Sequence, residues 1–80
     1  MEVTIVAYGI ARDIIGTSEL ILKVDEGITV KDMLTLVKRK FPDFEKLTSL
    51  LLAVNEEYVE ENHIVESGDE LVLIPPVSGG

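Results

Sequence analysis

The chain contains no cysteine. No disulfide can staple the fold, no thiolate can hold zinc or an iron–sulfur cluster, and no internal thiol can act as a nucleophile. Stability has to come from apolar packing, and a hydrophobic content of 46% suits a dense core. Basic residues are scarce as well: seven against fifteen acidic ones, for a formal charge of −8. They fall mainly at Lys31, Lys38, Arg39 and Lys40. Binding to phosphates rests on a basic surface that this chain lacks, which argues against nucleic acid as a partner; the charge fits a basic protein partner, with simple solubility as the alternative reading. No apolar run approaches the roughly 20 residues of a membrane span, and the opening MEVTIVAYG has no basic stretch of the kind that starts a secretory signal. The expectation is a soluble cytoplasmic protein that does not engage a membrane.

Histidine occurs once, at His63, with no carboxylate spacing around it that resembles a metal site, so it reads as a loop residue and no metal is expected. Ser78, Ser67 and Thr4 have no histidine close in sequence to activate them. Glu56, Glu57, Glu60 and Glu61 crowd one segment without the Asp-x-Asp-x-Asp-Gly order of a calcium loop, and read as a solvated acidic face, with docking on a basic partner as the alternative. Neither a Gly-x-Gly-x-x-Gly run nor a P-loop is present. An ordinary active site is therefore missing, and the chain is expected to bind no cofactor itself.

What is present is a pattern of short elements. Eighty residues make one domain with just enough chain for its own core. EVTIVAY at 2–8 reads as a strand covered on both faces, and SELILKV at 18–24 as a strand with Leu20, Leu22 and Val24 inward. Between them ARDII at 11–15 predicts one helical turn closed by Gly16. Thr29 with Asp32 three residues on predicts a helix start, and Val30, Met33, Leu34, Val37 and Phe41 form one apolar stripe that Pro42 ends. A loop through DFEKLT leads to the strand SLLLAV at 49–54, a turn at Asn55 and Glu56, and a short EYV strand. Residues 60–68 read as a polar connection anchored by Ile64 or Val65, and LVLI at 71–74 is a second fully apolar strand. Setting the first and last strands side by side, hence parallel, buries both. The expected fold is α+β, a β-grasp (ubiquitin-like) unit with a mixed sheet of about five strands and one main helix across one face. Its domain would span 1–74, followed by a tail at 75–80.

The tail is the unusual feature. Pro75 and Pro76 lack the N–H that continues a strand and favour an extended backbone, while Gly79 and Gly80 add no side-chain bulk. Extended, the six residues from Pro75 to Gly80 reach roughly 20 Å at about 3.3 Å each, enough to thread a tunnel in another protein. A terminal carboxylate is ionised at neutral pH and a poor electrophile, so chemistry at Gly80 needs activation, such as coupling to AMP. Attack by a sulfide equivalent then yields a thiocarboxylate, and attack by a lysine yields an isopeptide bond.

The segment SGDELVLIPPVSGG at 67–80, with AVN at 53–55 and YGIARDIIG at 8–16, resembles the small subunits of molybdopterin synthase, the MoaD-type ubiquitin-like sulfur carriers. Asp13 stands where that family usually has Glu, and Tyr8 where Phe is frequent. The resemblance implies that Gly80 is adenylated with ATP by an E1-like activating enzyme and converted to a thiocarboxylate by a sulfur donor protein. It further implies that the sulfur passes to cyclic pyranopterin monophosphate inside a heterotetramer with the large synthase subunit. ATP would be used by the activating partner, and the chain would act as the sulfur-donating subunit of a complex rather than as a stand-alone enzyme. By the same resemblance Gly79 lets the end enter a narrow site, and Pro75, Pro76, Val77 and Ser78 meet the partner. Tyr8, Arg12 and Leu73 or Ile74 are the candidates for the docking face, with core packing or a surface ion pair as the alternative for each. A carrier for thiamin or tRNA thiolation, a protein modifier joined through Gly80, and a plain ubiquitin-like interaction module share the fold and stay open.

Overall fold

Strand-forming apolar runs at the two ends of the chain meet in the middle of the sheet. In the computed structural model, which describes residues 1–76, β1 (Glu2–Ala7) and β5 (Glu70–Ile74) pair in parallel, with Ile5 opposite Leu71 and Ala7 opposite Leu73. β2 (Glu19–Lys23) flanks β1 and β3 (Leu51–Val54) flanks β5, both antiparallel, and the short β4 (Glu57–Tyr58) lies outside β3. The order β2-β1-β5-β3-β4 is the β-grasp arrangement expected from the sequence, including the parallel central pair. The observed strands are slightly shorter than their apolar runs: β1 stops at Ala7, which leaves Tyr8 outside the ladder.

Between β1 and β2, α1 (Gly9–Ile15) starts earlier than the ARDII turn suggested. It ends as expected at Gly16, whose φ of 88° is the left-handed value that glycine tolerates and whose N–H donates to the Arg12 carbonyl at 2.7 Å. α2 (Val30–Lys40) starts at Thr29, whose Oγ1 accepts the Asp32 N–H at 3.2 Å. Its first amides are also met from the β4–β5 connection: Val30 N–H donates to the His63 carbonyl and Lys31 N–H to the Glu61 carbonyl. Val30, Met33 and Val37 are buried against Val3, Ile5, Leu52, Leu71 and Leu73 in one core cluster. Leu34 and Phe41, at the margins of the predicted stripe, are only half-buried.

Two expectations are corrected by the packing. The segment after Pro42, read as a loop, winds as a 3-10 helix over Pro42–Lys46, and its Phe44 is 1% exposed. Phe44, not Phe41, is thus the aromatic of the core; the two rings sit edge to face with centroids 6.4 Å apart. A five-residue turn with one apolar residue among Asp43, Glu45 and Lys46 is too short to show a period. In the β4–β5 connection the anchor is Val65, at 1% exposure, while Ile64 is exposed and its backbone bridges Thr29.

The β3–β4 turn carries local strain. Asn55 and Glu56 have φ of 49° and 71°, both positive, as in the two-residue hairpin turns that favour Asn-Gly. Asn tolerates that region, but a glutamate there costs about 1 kcal/mol. Glu56→Gly is expected to raise Tm by about 4–8 °C, the shift that 1 kcal/mol produces in a domain of this size. A thermal melt of the two proteins side by side checks it.

Candidate functional site

Strand alternation sends two sets of apolar side chains to opposite faces, and the helices take only one of them. Val3, Ile5, Ala7, Leu52, Val54, Leu71 and Leu73 belong to the cluster that packs with α1 and α2. On the other face, pairing aligns Glu19, Val6, Val72, Ala53 and Tyr58 in a row across all five strands. Leu51 pairs with Ile74 one step nearer the tail, and Ile21 pairs with Thr4 one step away from it. Among the described residues no helix packs on this face. Leu51, Tyr58 and Ile21 are 53%, 72% and 60% exposed. Between them Val6 and Ala53 are buried, at 9% and 5% exposure, so the apolar surface that stays open is carried by Leu51, Tyr58 and Ile21 with half-buried Val72 and Ile74, the kind of surface that marks an interaction site. Glu2, Lys23 and Glu70 lie on the same face towards the end away from the tail, and Glu19 closes the central row at β2, so the border is mainly acidic.

The residues singled out from the sequence divide around this surface. Tyr8 is extended in backbone, 64% exposed and directly after β1, just past the Ala7–Leu73 pair that ends the parallel ladder. Ile74 is half-buried on the open face and leads into Pro75 and Pro76, also half-buried. Arg12 is exposed in the last turn of α1. Leu73 is corrected: at 1% exposure it points into the core beneath α2 and offers no surface to a partner, because its position in β5 alternates with Ile74. Val77, Ser78, Gly79 and Gly80 lie outside the described residues.

Val72, Leu51, Tyr58 and Ile21 are the exposed or half-buried members of this face that the sequence did not single out. The signal for them was nevertheless present. A single helix with one apolar stripe covers one face of a sheet, so strands that are apolar on both faces leave the second face in need of a partner.

Nothing on the described surface assembles an ordinary catalytic centre. A depression of about 330 Å³ near the β3–β4 turn is bordered by Val54, Glu57, His63 and Asp69. Among the described residues no three His, Asp or Glu side chains converge as a metal site, and no helix is long and apolar enough to cross a membrane. His63 is exposed in its loop, as are Glu56, Glu57, Glu60 and Glu61.

Comparison with known proteins places these features. A model of the ThiS family matches residues 5–80. The molybdopterin synthase sulfur carrier subunit of Arabidopsis thaliana is 40% identical over 81 residues, covering all of this chain and 84% of that one. The crystal structure of SAMP1 from Haloferax volcanii superposes with a TM-score of 0.83 at 25% identity, covering all of both chains. A chain from the complex of subunits 1 and 2 of the molybdopterin-converting factor of Helicobacter pylori is also 25% identical over the full length of both, with a TM-score of 0.68. The likeness to the molybdopterin synthase sulfur carrier subunit of Arabidopsis thaliana spans the whole of this chain, the family model spans nearly all of it, and the chain belongs to the ThiS family.

Proposed function

We propose that this chain is the sulfur-carrier small subunit of a cytoplasmic molybdopterin synthase, with Gly80 as the group that carries sulfur. The full-length identity of 40% to a relative of that name supports this, and so does the Pro-Pro-Val-Ser-Gly-Gly end directly after β5. An E1-like enzyme transfers AMP from ATP to the Gly80 carboxylate, releasing pyrophosphate. A hydrosulfide equivalent from a donor protein then displaces AMP and leaves a thiocarboxylate. Its soft sulfur bonds to a carbon of cyclic pyranopterin monophosphate in the large subunit, displacing an oxygen substituent and joining carrier and pterin as a thioester, and water then cleaves the acyl C–S bond, leaving the sulfur on the pterin and restoring the Gly80 carboxylate. One carrier brings one sulfur, so a dithiolene takes two carriers, which suits a heterotetramer of two small and two large subunits.

In this reading the open sheet face supplies the grip and the tail the chemistry. Val72, Ile74 and Leu51 lie on this face in the strands that lead to the tail, and Tyr8 follows β1 at the same end of the sheet. A partner seated there holds Pro75 and Pro76, and Gly79 and Gly80 pass through a channel too narrow for side chains. The same acyl adenylate attacked by a lysine gives a protein modifier instead, a second reading favoured by the superposition with SAMP1, the small archaeal modifier protein 1 of Haloferax volcanii.

The test is mass spectrometry of the chain after incubation with a cognate activating enzyme, ATP and a sulfur donor. Replacement of one oxygen by sulfur is the expected mass change. No change, with the enzyme active on its own carrier, overturns the proposal. Diglycine remnants on lysines of other proteins in the same mixture favour the modifier.

A further inference from the structure

We infer that Asn55 and Asp69 are positioning residues: their side chains lock the start of β5 to the end of β3 and thereby set where the tail leaves the sheet. The consequence for chemistry rests on the carrier reading above; the lock itself does not.

Backbone pairing between β3 and β5 runs from Leu51 with Ile74 to Val54 with Leu71, and then the chain turns away at Asn55. The Asn55 side chain continues the ladder by another rung. Its Oδ1 accepts the Glu70 N–H at 3.0 Å, while its own backbone N–H donates to the Glu70 carbonyl at 2.8 Å. Its Nδ2 donates to Asp69 Oδ1 at 2.9 Å, and Asp69 Oδ2 accepts the Glu66 N–H at 2.8 Å. On the opposite side the Asp69 carbonyl accepts the Thr4 N–H at 3.1 Å. Asp69 and Glu70 are thus tied to both neighbouring strands at the point where β5 begins.

Such a lock is needed because the apolar pattern of β5 is degenerate. Leu71 and Leu73 face the core, and Val72 and Ile74 face the open side. A one-residue slip would exchange the faces, but a two-residue slip puts leucine on leucine and a β-branched residue on a β-branched one. That slip would move the tail by about 6.6 Å, two residues at about 3.3 Å. Drawing the tail inward is opposed by Pro75, which has no N–H for the ladder site it would enter. Sliding it outward must break the Asn55 contacts and carry the Asp69 carboxylate towards the buried site of Leu71. Pro75 and the Asn55–Asp69 pair therefore act as stops at the two ends of the strand.

The pair can be exchanged without loss of any hydrogen bond. In Asn55→Asp the two carboxylates face each other, and in Asp69→Asn a donor meets a donor on one side or the other. In the double variant, Asn55→Asp with Asp69→Asn, the amide again donates to the carboxylate, and both the Glu66 and Glu70 N–H groups keep an acceptor. The experiment has two readouts on the full chain. Amide exchange of the free protein is expected to rise at least about tenfold at residues 71–74 in each single variant, to leave the β1–β2 pairing unchanged, and to recover in the double variant. Single-turnover charging at saturating partner, far below each melting transition, is expected to fall at least about tenfold in the single variants and to recover in the double, since small misplacements of a reacting group cost that much or more.

Unchanged exchange at β5, or no recovery in the double variant, overturns the lock. Changed exchange with a lower Tm but an unaltered charging rate makes the pair structural only and overturns its positioning role. Changed and rescued exchange in a wild type that accepts no sulfur supports the lock and counts against the carrier reading.

Discussion

A chain ending at Ser78 is expected to keep its fold and to accept no sulfur at all. The core cluster of the described residues runs from Val3 to Leu73, and the fold is expected to stand on it without Gly79 and Gly80. Tm is expected to stay within about 2 °C of the full chain, as for surface changes that touch no buried group. Charging should fall to background, because the new terminal carboxylate would belong to a residue with a side chain and would sit two residues short, about 6.6 Å at 3.3 Å each. Loss of reach and loss of slenderness both act on the same step, and effects of position on a reacting group are large. Adding two glycines back after Ser78 restores the original end and is expected to restore charging. A truncated protein that supports pterin sulfuration at the full rate would remove Gly80 from the mechanism and leave an interaction module.

Val72→Asp is expected to weaken binding to the large subunit by at least about thirtyfold, or about 2 kcal/mol, the loss that marks a central contact residue. Val72 stands at the centre of the row Glu19, Val6, Val72, Ala53 and Tyr58, half-buried on the face that no helix of the described residues covers. A carboxylate at that position would be desolvated by a docked partner without a matching charge. Leu51→Asp provides a second variant whose folding is safer, since Leu51 is 53% exposed and borders Ile74. Calorimetry with the purified large subunit reads both. Equal affinity for wild type and both variants, each with an intact thermal transition, would show that the tail alone holds the complex. The mainly acidic border at Glu2, Glu19 and Glu70 adds an ionic-strength dependence: a basic partner should associate more slowly as salt rises.

Much of this was legible because it depends on local rules. The cap at Thr29, the stop at Gly16 and the hairpin at Asn55 are each written within three or four neighbouring residues. The parallel pairing of β1 with β5 followed from having two runs that only the sheet centre could bury. Phe44 was hidden because a single apolar residue in a short turn has no repeat to betray it. Leu73 and Ile74 could not be told apart as surface and core, since in LVLI every residue is apolar and only the strand's orientation under α2 separates them.

By itself the sequence determined the element order and the succession of two prolines and two glycines within 75–80; these depend on residue type and on spacing along the chain. Only the tertiary structure decided which face of the sheet stays open, and that the Asn55 and Asp69 side chains meet across 14 positions. Both outcomes are set by packing between segments far apart in the chain, where the choice of face and register is made jointly by every element that has to share one core.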